Sequence, residues 1–255
     1  MPTPFTHLEI AQRLLRDEEV PQLMREILDA QRGAFLLGSI AADARVGSGL
    51  PREKTHFYAY GQPIVEHPWR VMVQQNPALL HPDNAAHQAF VAGYVAHLSV
   101  DETWSKEMVG PHFVLREWGD RMLRFYMLHI ILIYMDERDF ALLENWQSAS
   151  LQQAEPQHWL DFASDNDLRT WRDLIYEQIK PDGISHTLDI FGGRIGKQPE
   201  EMRIFLDSPQ EMQAGLWDNI TPDLLAEVEE SMYAHARTQM TRYFQESLQA
   251  MHNEG

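Results

Sequence analysis

The chain has 255 residues, 44% of them hydrophobic, which suits one large domain with a substantial core. It contains no cysteine, so disulfides and thiolate metal sites are excluded, and any metal falls to the 12 histidines and 38 acidic residues. The formal charge of −17 repels nucleic-acid phosphates and anionic bilayers, so nucleic acid is not an expected partner.

In chain order, MPTPFTHLEI shows no basic stretch followed by an apolar run, so no signal peptide is expected. Thr6 and Glu9 read as a capping box that starts a helix at His7 or just before it. Leu8, Ala11, Leu14 and Leu15 form its apolar face. Pro21 opens a second helix with Leu23, Ile27 and Leu28 inward and Gly33 as its stop. AFLLGSIAADA, 34–44, reads as a short buried helix whose small residues permit close packing.

Residues 44–82 carry three glycines and five prolines without periodicity, which predicts a long functional loop or lid. A long helix is expected from Asp83 to about Trp104, and an apolar one over 113–135. The longest apolar run, 130–135, is too short to span a bilayer. Shorter helices are expected over 139–152, 167–179, 184–192, 199–206 and 221–251, the last packing on the first part of the chain or serving a homodimer contact. No strand-like alternation or internal repeat is present, so the expected fold is an all-α multi-helix bundle. Its parts are a metal-binding helical core over 1–140 and a helical part over 141–255 packed on it, together one continuous domain. GGRIGK, 192–197, lacks phosphate-loop spacing and has Gln198 where Ser or Thr is needed, so it reads as a helix-ending loop. The whole is expected to be cytoplasmic, without stable membrane association.

The chemistry concentrates in AFVAGYVAHLSVDETW, 89–104. On a helix His97 and Asp101 stand about 40° apart around the axis, so both reach one point and can offer a nitrogen and an oxygen to one cation. A hydrogen-bonded His–Asp pair is the alternative. Gly93, one turn earlier, leaves room for another backbone or a ligand. Asp43 closes the small-residue helix and is either a ligand or a surface helix-end carboxylate. His56 is a ligand or a hydrogen-bonded core histidine. His7, in the first turn of the first helix, is a neutral ligand or a surface histidine.

The ordered set THL at 6–8, FLLGSIAADAR at 35–45, THFY at 55–58 and AGYVAHLSVDETW at 92–104 resembles the zinc-dependent phospholipase C family over residues 5–105. The resemblance implies the all-helical fold shared with single-strand nucleases and phosphate-ester hydrolysis at a zinc cluster. It implies Asp43, His56, His97 and Asp101 as one metal site, with Asp101 bridging to a second ion also held by His7. Asp43 and Asp101 are then the catalytic carboxylates and Asp43 a candidate base. The family's third-metal pattern does not recur. Glu107 stands six residues after Asp101, His112 eleven, and Ile133 follows His129 by four, so one or two zinc ions are expected. The expected activity is a metal-dependent phosphoesterase acting on a small or soluble phosphate ester. A noncatalytic metal-stabilised binding protein is the alternative, and the charge disfavours a nuclease. Buried His129 is expected to be a hydrogen-bonded core residue.

Overall fold

The computed structural model describes residues 1–59 and 61–253, and every regular element among them is helical. Helix α1 spans Pro4–Arg16, with Pro4 in the first turn, where no backbone donor is needed. Thr6 is not its cap. Thr3 holds that position, and the Thr6 hydroxyl donates to Asp139 Oδ2 at 2.7 Å, because a buried carboxylate competes for it better than the helix end does. Helix α2 (Gln22–Ala30) buries Met24 and Leu28 but leaves Leu23 58% exposed, so its inward stripe lies one residue further on than expected. Gly33 does not stop it. The break falls at Gln31, and Gly33 lies inside α3 (Arg32–Ala41) against the Ser150 carbonyl.

The centre of the molecule is α3 against α7 (Ala85–Thr103). A Cβ on Gly38 would stand 1.9 Å from the Phe90 carbonyl oxygen, and one on Gly93 would stand 2.2 Å from that of Phe35. Both glycines therefore let the two backbones touch, and the room expected beside Gly93 is filled by α3. Nearly all of α7 is buried, and it starts at Ala85 because the Asn84 side chain, not Asp83, accepts the His87 amide at 2.9 Å.

The stretch read as a loop is largely short helices: a 3₁₀ turn (Ala42–Ala44), α4 (Arg45–Ser48), α5 (Arg52–His56), α6 (Pro68–Gln75) and a second 3₁₀ turn (Pro77–Leu80). Pieces this short carry no legible period, which is why composition alone suggested a lid. Arg52, Thr55, His56 and Trp69 are buried, and the Trp69 indole donates to Gln239 Oε1 at 3.0 Å. Tyr60, an aromatic of this stretch, lies outside the described residues.

After Thr103 the chain continues as a π-helix, Trp104–Leu115, then turns through Gly119 at φ +83° into α8 (Arg121–Leu142). The apolar helix expected at 113–135 is thus the end of one element and most of another. Asp120, capping the Leu123 amide at 2.8 Å, sets the boundary. There follow α9 (Asn145–Gln152), α10 (Asp165–Ile179), α11 (Thr187–Ile195), α12 (Pro199–Leu206), α13 (Pro209–Met212), a π turn (Gln213–Trp217) and α14 (Pro222–Asn253). Gly192 and Gly193 lie within α11, and Gly196, at φ +66°, is its left-handed cap. Helix α14 lies along α7, and Tyr243 donates to the Leu79 carbonyl at 2.9 Å. Leu8, Phe35, Ile131, Ile175 and Tyr243 belong to one hydrophobic core, so the parts before and after residue 140 share it. Each such large side chain contributes about 1.5–3 kcal/mol when fully buried. No helix among the described residues is long and apolar enough to cross a membrane.

Candidate metal centre

Four elements bring His7 (α1), Asp43 (first 3₁₀ turn), His56 (α5) and the pair His97 and Asp101 (α7) to one place. His97 and Asp101 are one turn apart on a helix locked to α3 by Gly38 and Gly93, so their position is set by backbone contact rather than by flexible side chains. His56 Nε2 stands 3.3 Å from Asp101 Oδ2 and 3.5 Å from Asp43 Oδ1. His97 Nε2 stands 3.7 Å from Asp101 Oδ2, and His7 Nε2 stands 3.5 Å from Asp101 Oδ1. The His7 and His97 rings stack with centroids 3.8 Å apart.

Most of these separations are too long for good hydrogen bonds. They match what two ligands on one tetrahedral ion require, since bonds of about 2.0–2.2 Å place neighbouring donor atoms about 3.3–3.6 Å apart. Among the described residues His7 Nδ1 and Nε2, His56 Nε2, His97 Nε2 and Asp101 Oδ1 are buried without a hydrogen-bond partner. A concentration of orphaned polar atoms at one point calls for a specific cause, and the donor set fits a divalent transition metal.

The remaining contacts aim the ligand nitrogens. His97 Nδ1 lies 2.8 Å from the Ser39 carbonyl oxygen, which can only accept, so the proton sits on Nδ1 and the Nε2 lone pair faces the cluster. Thr55 does the same for His56. Its hydroxyl donates to the Arg52 carbonyl at 3.3 Å and accepts from His56 Nδ1 at 2.9 Å. Tyr94 fixes this segment by donating to the Thr55 carbonyl at 2.8 Å.

Burial pushes His97 down to about 3, and the neighbouring His7 adds to this, so its imidazole is neutral at physiological pH. Burial opposes ionisation of Asp101, but His56, His7 and the Arg52 guanidinium together hold its carboxyl well below the usual range. Burial likewise opposes ionisation of Asp43, and His56 and His97 outweigh it. Two carboxylates are thus charged beside the neutral His97 imidazole. Arg52 Nη2 donates to Asp101 Oδ2 at 3.1 Å and to the Tyr58 hydroxyl at 2.6 Å, placing one fixed cation at the edge of the cluster. The amino group of Met1 is also nearby, pushed down to about 6 by burial against the pull of Asp101.

All five residues singled out in the sequence converge here. His7, His56, His97 and Asp101 are buried, and only Asp43 approaches the surface, with 16% of its side chain exposed. A groove of about 710 Å³ along 158–169 is lined by none of the five. His129 Nδ1 lies 2.8 Å from the Phe125 carbonyl oxygen, and neither it nor His112 joins a group of three or more ligand-type side chains among the described residues. Sequence reasoning missed Arg52 and the orienting role of Thr55. The legible hint was that Arg52 lies one helical turn before His56. It also missed a separate group, His67, Glu102 and His235. Comparison with protein-family profiles, curated proteins and solved structures gives no match for this chain.

Proposed function

We propose that the chain is a metal-dependent phosphoesterase of the zinc-dependent phospholipase C type, acting on a small or soluble phosphate ester. The observation that supports it most is the convergence of unpartnered, tautomer-fixed imidazoles on two ionised carboxylates. Asp43, His56, His97 and Asp101 would hold the ion, with His7 against the other oxygen of Asp101. Zinc suits these donors, and iron, manganese and nickel share the same ligand chemistry. When bound, such an ion supplies Lewis acidity toward a phosphoryl oxygen and acidifies a coordinated water.

The residues themselves set the electrostatics. Asp43 and Asp101 carry two negative charges and Arg52 one positive, so a divalent ion leaves the centre net positive and attractive to a phosphate ester. Arg52, steadied by Tyr58, sets its charge on Asp101 Oδ2, the oxygen that His56 and His97 also approach, while His7 faces Oδ1. Asp43, the carboxylate nearest solvent, is placed to accept a proton from an incoming water or pass it outward.

The burial of the ligands favours a second reading, a noncatalytic metal-stabilised protein, because closed sites are typically structural and catalytic sites keep an open position. One experiment separates the two: metal analysis of the purified protein with turnover of a phosphomonoester and phosphodiester panel, before and after chelation. The enzyme reading expects turnover lost on chelation and restored by zinc. Bound metal that raises thermal stability, with no turnover across the panel from pH 5 to 9, establishes the noncatalytic reading. Less than half an equivalent of any transition metal removes both.

A further inference from the structure

A second group of metal-ligand side chains lies apart from the centre described above. His67 precedes α6, Glu102 lies on α7 one residue beyond Asp101, and His235 lies on α14. His67 Nδ1 stands 3.0 Å from Glu102 Oε2, and His235 Nε2 stands 3.2 Å from the same oxygen. The two imidazole rings are tilted 46° to one another with centroids 5.3 Å apart. Three donor atoms from three elements are thus gathered within ligand distance of one another.

We propose that His67, Glu102 and His235 form a second divalent transition-metal site, a surface staple joining α6, α7 and α14. Two imidazoles and one carboxylate are a recognised donor set for zinc, with remaining positions available to water. The exposure pattern suits an ion arriving from solvent: the Glu102 side chain is 2% exposed, while His67 and His235 are 33% and 25% exposed. The group spans segments remote in sequence, so an ion here closes long loops, where a cross-link restrains the unfolded chain most. The net charge of −17 concentrates cations at the surface.

The competing cation is Lys106, whose ammonium lies 2.6 Å from Glu102 Oε1 and is half-exposed. It shares Oε1 with His67 Nδ1, which stands 3.1 Å from that oxygen, while His235 faces Oε2, and its exposed stem lets it swing into solvent when an ion binds. Lys106 therefore sets the affinity of the site: the ion must displace or share one of its contacts.

The site stands independently of the phosphoesterase reading and is tested by binding alone. Full-length metal-free protein is titrated with Zn²⁺ and Co²⁺ by calorimetry and equilibrium dialysis, beside His67→Ala, His235→Ala and the double variant. Both histidines are partly exposed, and circular dichroism checks that each variant is folded. The expected result is one equivalent fewer ions in each variant than in wild type. His97→Ala should leave this equivalent in place, and Lys106→Met should tighten it severalfold. Equal ion counts in wild type and the double variant overturn the proposal, as does a wild-type protein that binds no ion. A change in stability on removing His67 or His235 without any change in ion count overturns it too, and makes the group a hydrogen-bonded ion-pair network.

Discussion

The Nδ1 atom of His97 lies 2.8 Å from the carbonyl oxygen of Ser39, so a backbone group of α3 decides which nitrogen of an α7 histidine carries the proton. That contact exists because Gly93 allows α3 to lie directly on α7, with the Ser39 amide 2.7 Å from where a Cβ on Gly93 would stand. Gly93→Ala is therefore expected to destabilise the fold by about 1–3 kcal/mol or more, since a core methyl with backbone on one side has nowhere to go. It should also weaken metal binding by turning His97. Urea unfolding of metal-free protein reads the first effect and metal titration the second; a Gly93→Ala variant with unchanged values in both would show that the close approach is not required.

Ligand substitutions should rank by what each side chain touches. Asp101→Asn faces three imidazoles and Arg52, so it is expected to lose more metal than His7→Ala, which removes one edge of the cluster. His97→Ala should strip the centre as well. His129→Ala should keep normal metal content and lose thermal stability, because its ring packs between Phe125 and Phe191. Metal content after dialysis checks the order, and an emptied site in His129→Ala with a full one in Asp101→Asn would reverse the assignment.

Thr55→Val removes the hydroxyl that orients His56 while keeping the side-chain shape. Loss of such an outer partner typically costs about 10–100-fold in metal affinity. Competition with a chelator of known affinity measures it, and Thr55→Ser, which restores the hydroxyl, should recover most of the loss. A valine variant that binds as tightly as wild type would mean that the His56 tautomer is held by other contacts.

Asp136 supplies a pH dependence unconnected with the candidate metal centre. It is fully buried on α8, and burial raises it to about 6 against the Ser185 hydroxyl, which donates to its Oδ2 at 3.1 Å, and the neighbouring Thr3 and Thr187. The folded state therefore binds the proton more tightly than the unfolded chain, so this carboxyl's contribution falls as pH rises from about 4 to about 6. Asp136→Asn is expected to stabilise the protein by about 1–3 kcal/mol at pH 7, with the gain vanishing near pH 4. Paired thermal melts at pH 4 and pH 7 test this; a variant less stable than wild type at pH 7 would show that the charged form is the one the fold prefers.

Bilayer-borne substrate is expected to be turned over poorly. No helix of the described residues can cross a membrane, Trp69 is buried beneath its segment, and Tyr58 is bonded to Arg52 rather than presented outward. The net charge opposes approach to an anionic leaflet, more so at low salt. Sedimentation with neutral and anionic liposomes, beside turnover of short-chain and vesicle-borne phospholipid, would restore an interfacial enzyme if binding were strong and vesicles were the faster substrate.

Composition and periodicity were sufficient for the all-helical class and for the long helices, because a period of 3.6 residues becomes legible over several turns. The His97–Asp101 pair was legible for the same reason, as spacing on a helix is itself a distance. Short elements were not. The pieces between 44 and 82 are no longer than eight residues, and Thr6 looks like a cap in sequence but serves Asp139, 133 positions away. Arg52 beside Asp101, the Ser39 carbonyl under His97 and the meeting of His67, Glu102 and His235 carry no sequence signature, since each depends on how helices distant in the chain cross. The residue types and local spacing determined which side chains were able to bind a metal. Only the packing of α1, α3, α5 and α7 decided that their orphaned nitrogens and oxygens point at one place, because burial sets the partners of a polar atom and burial is a property of the whole fold.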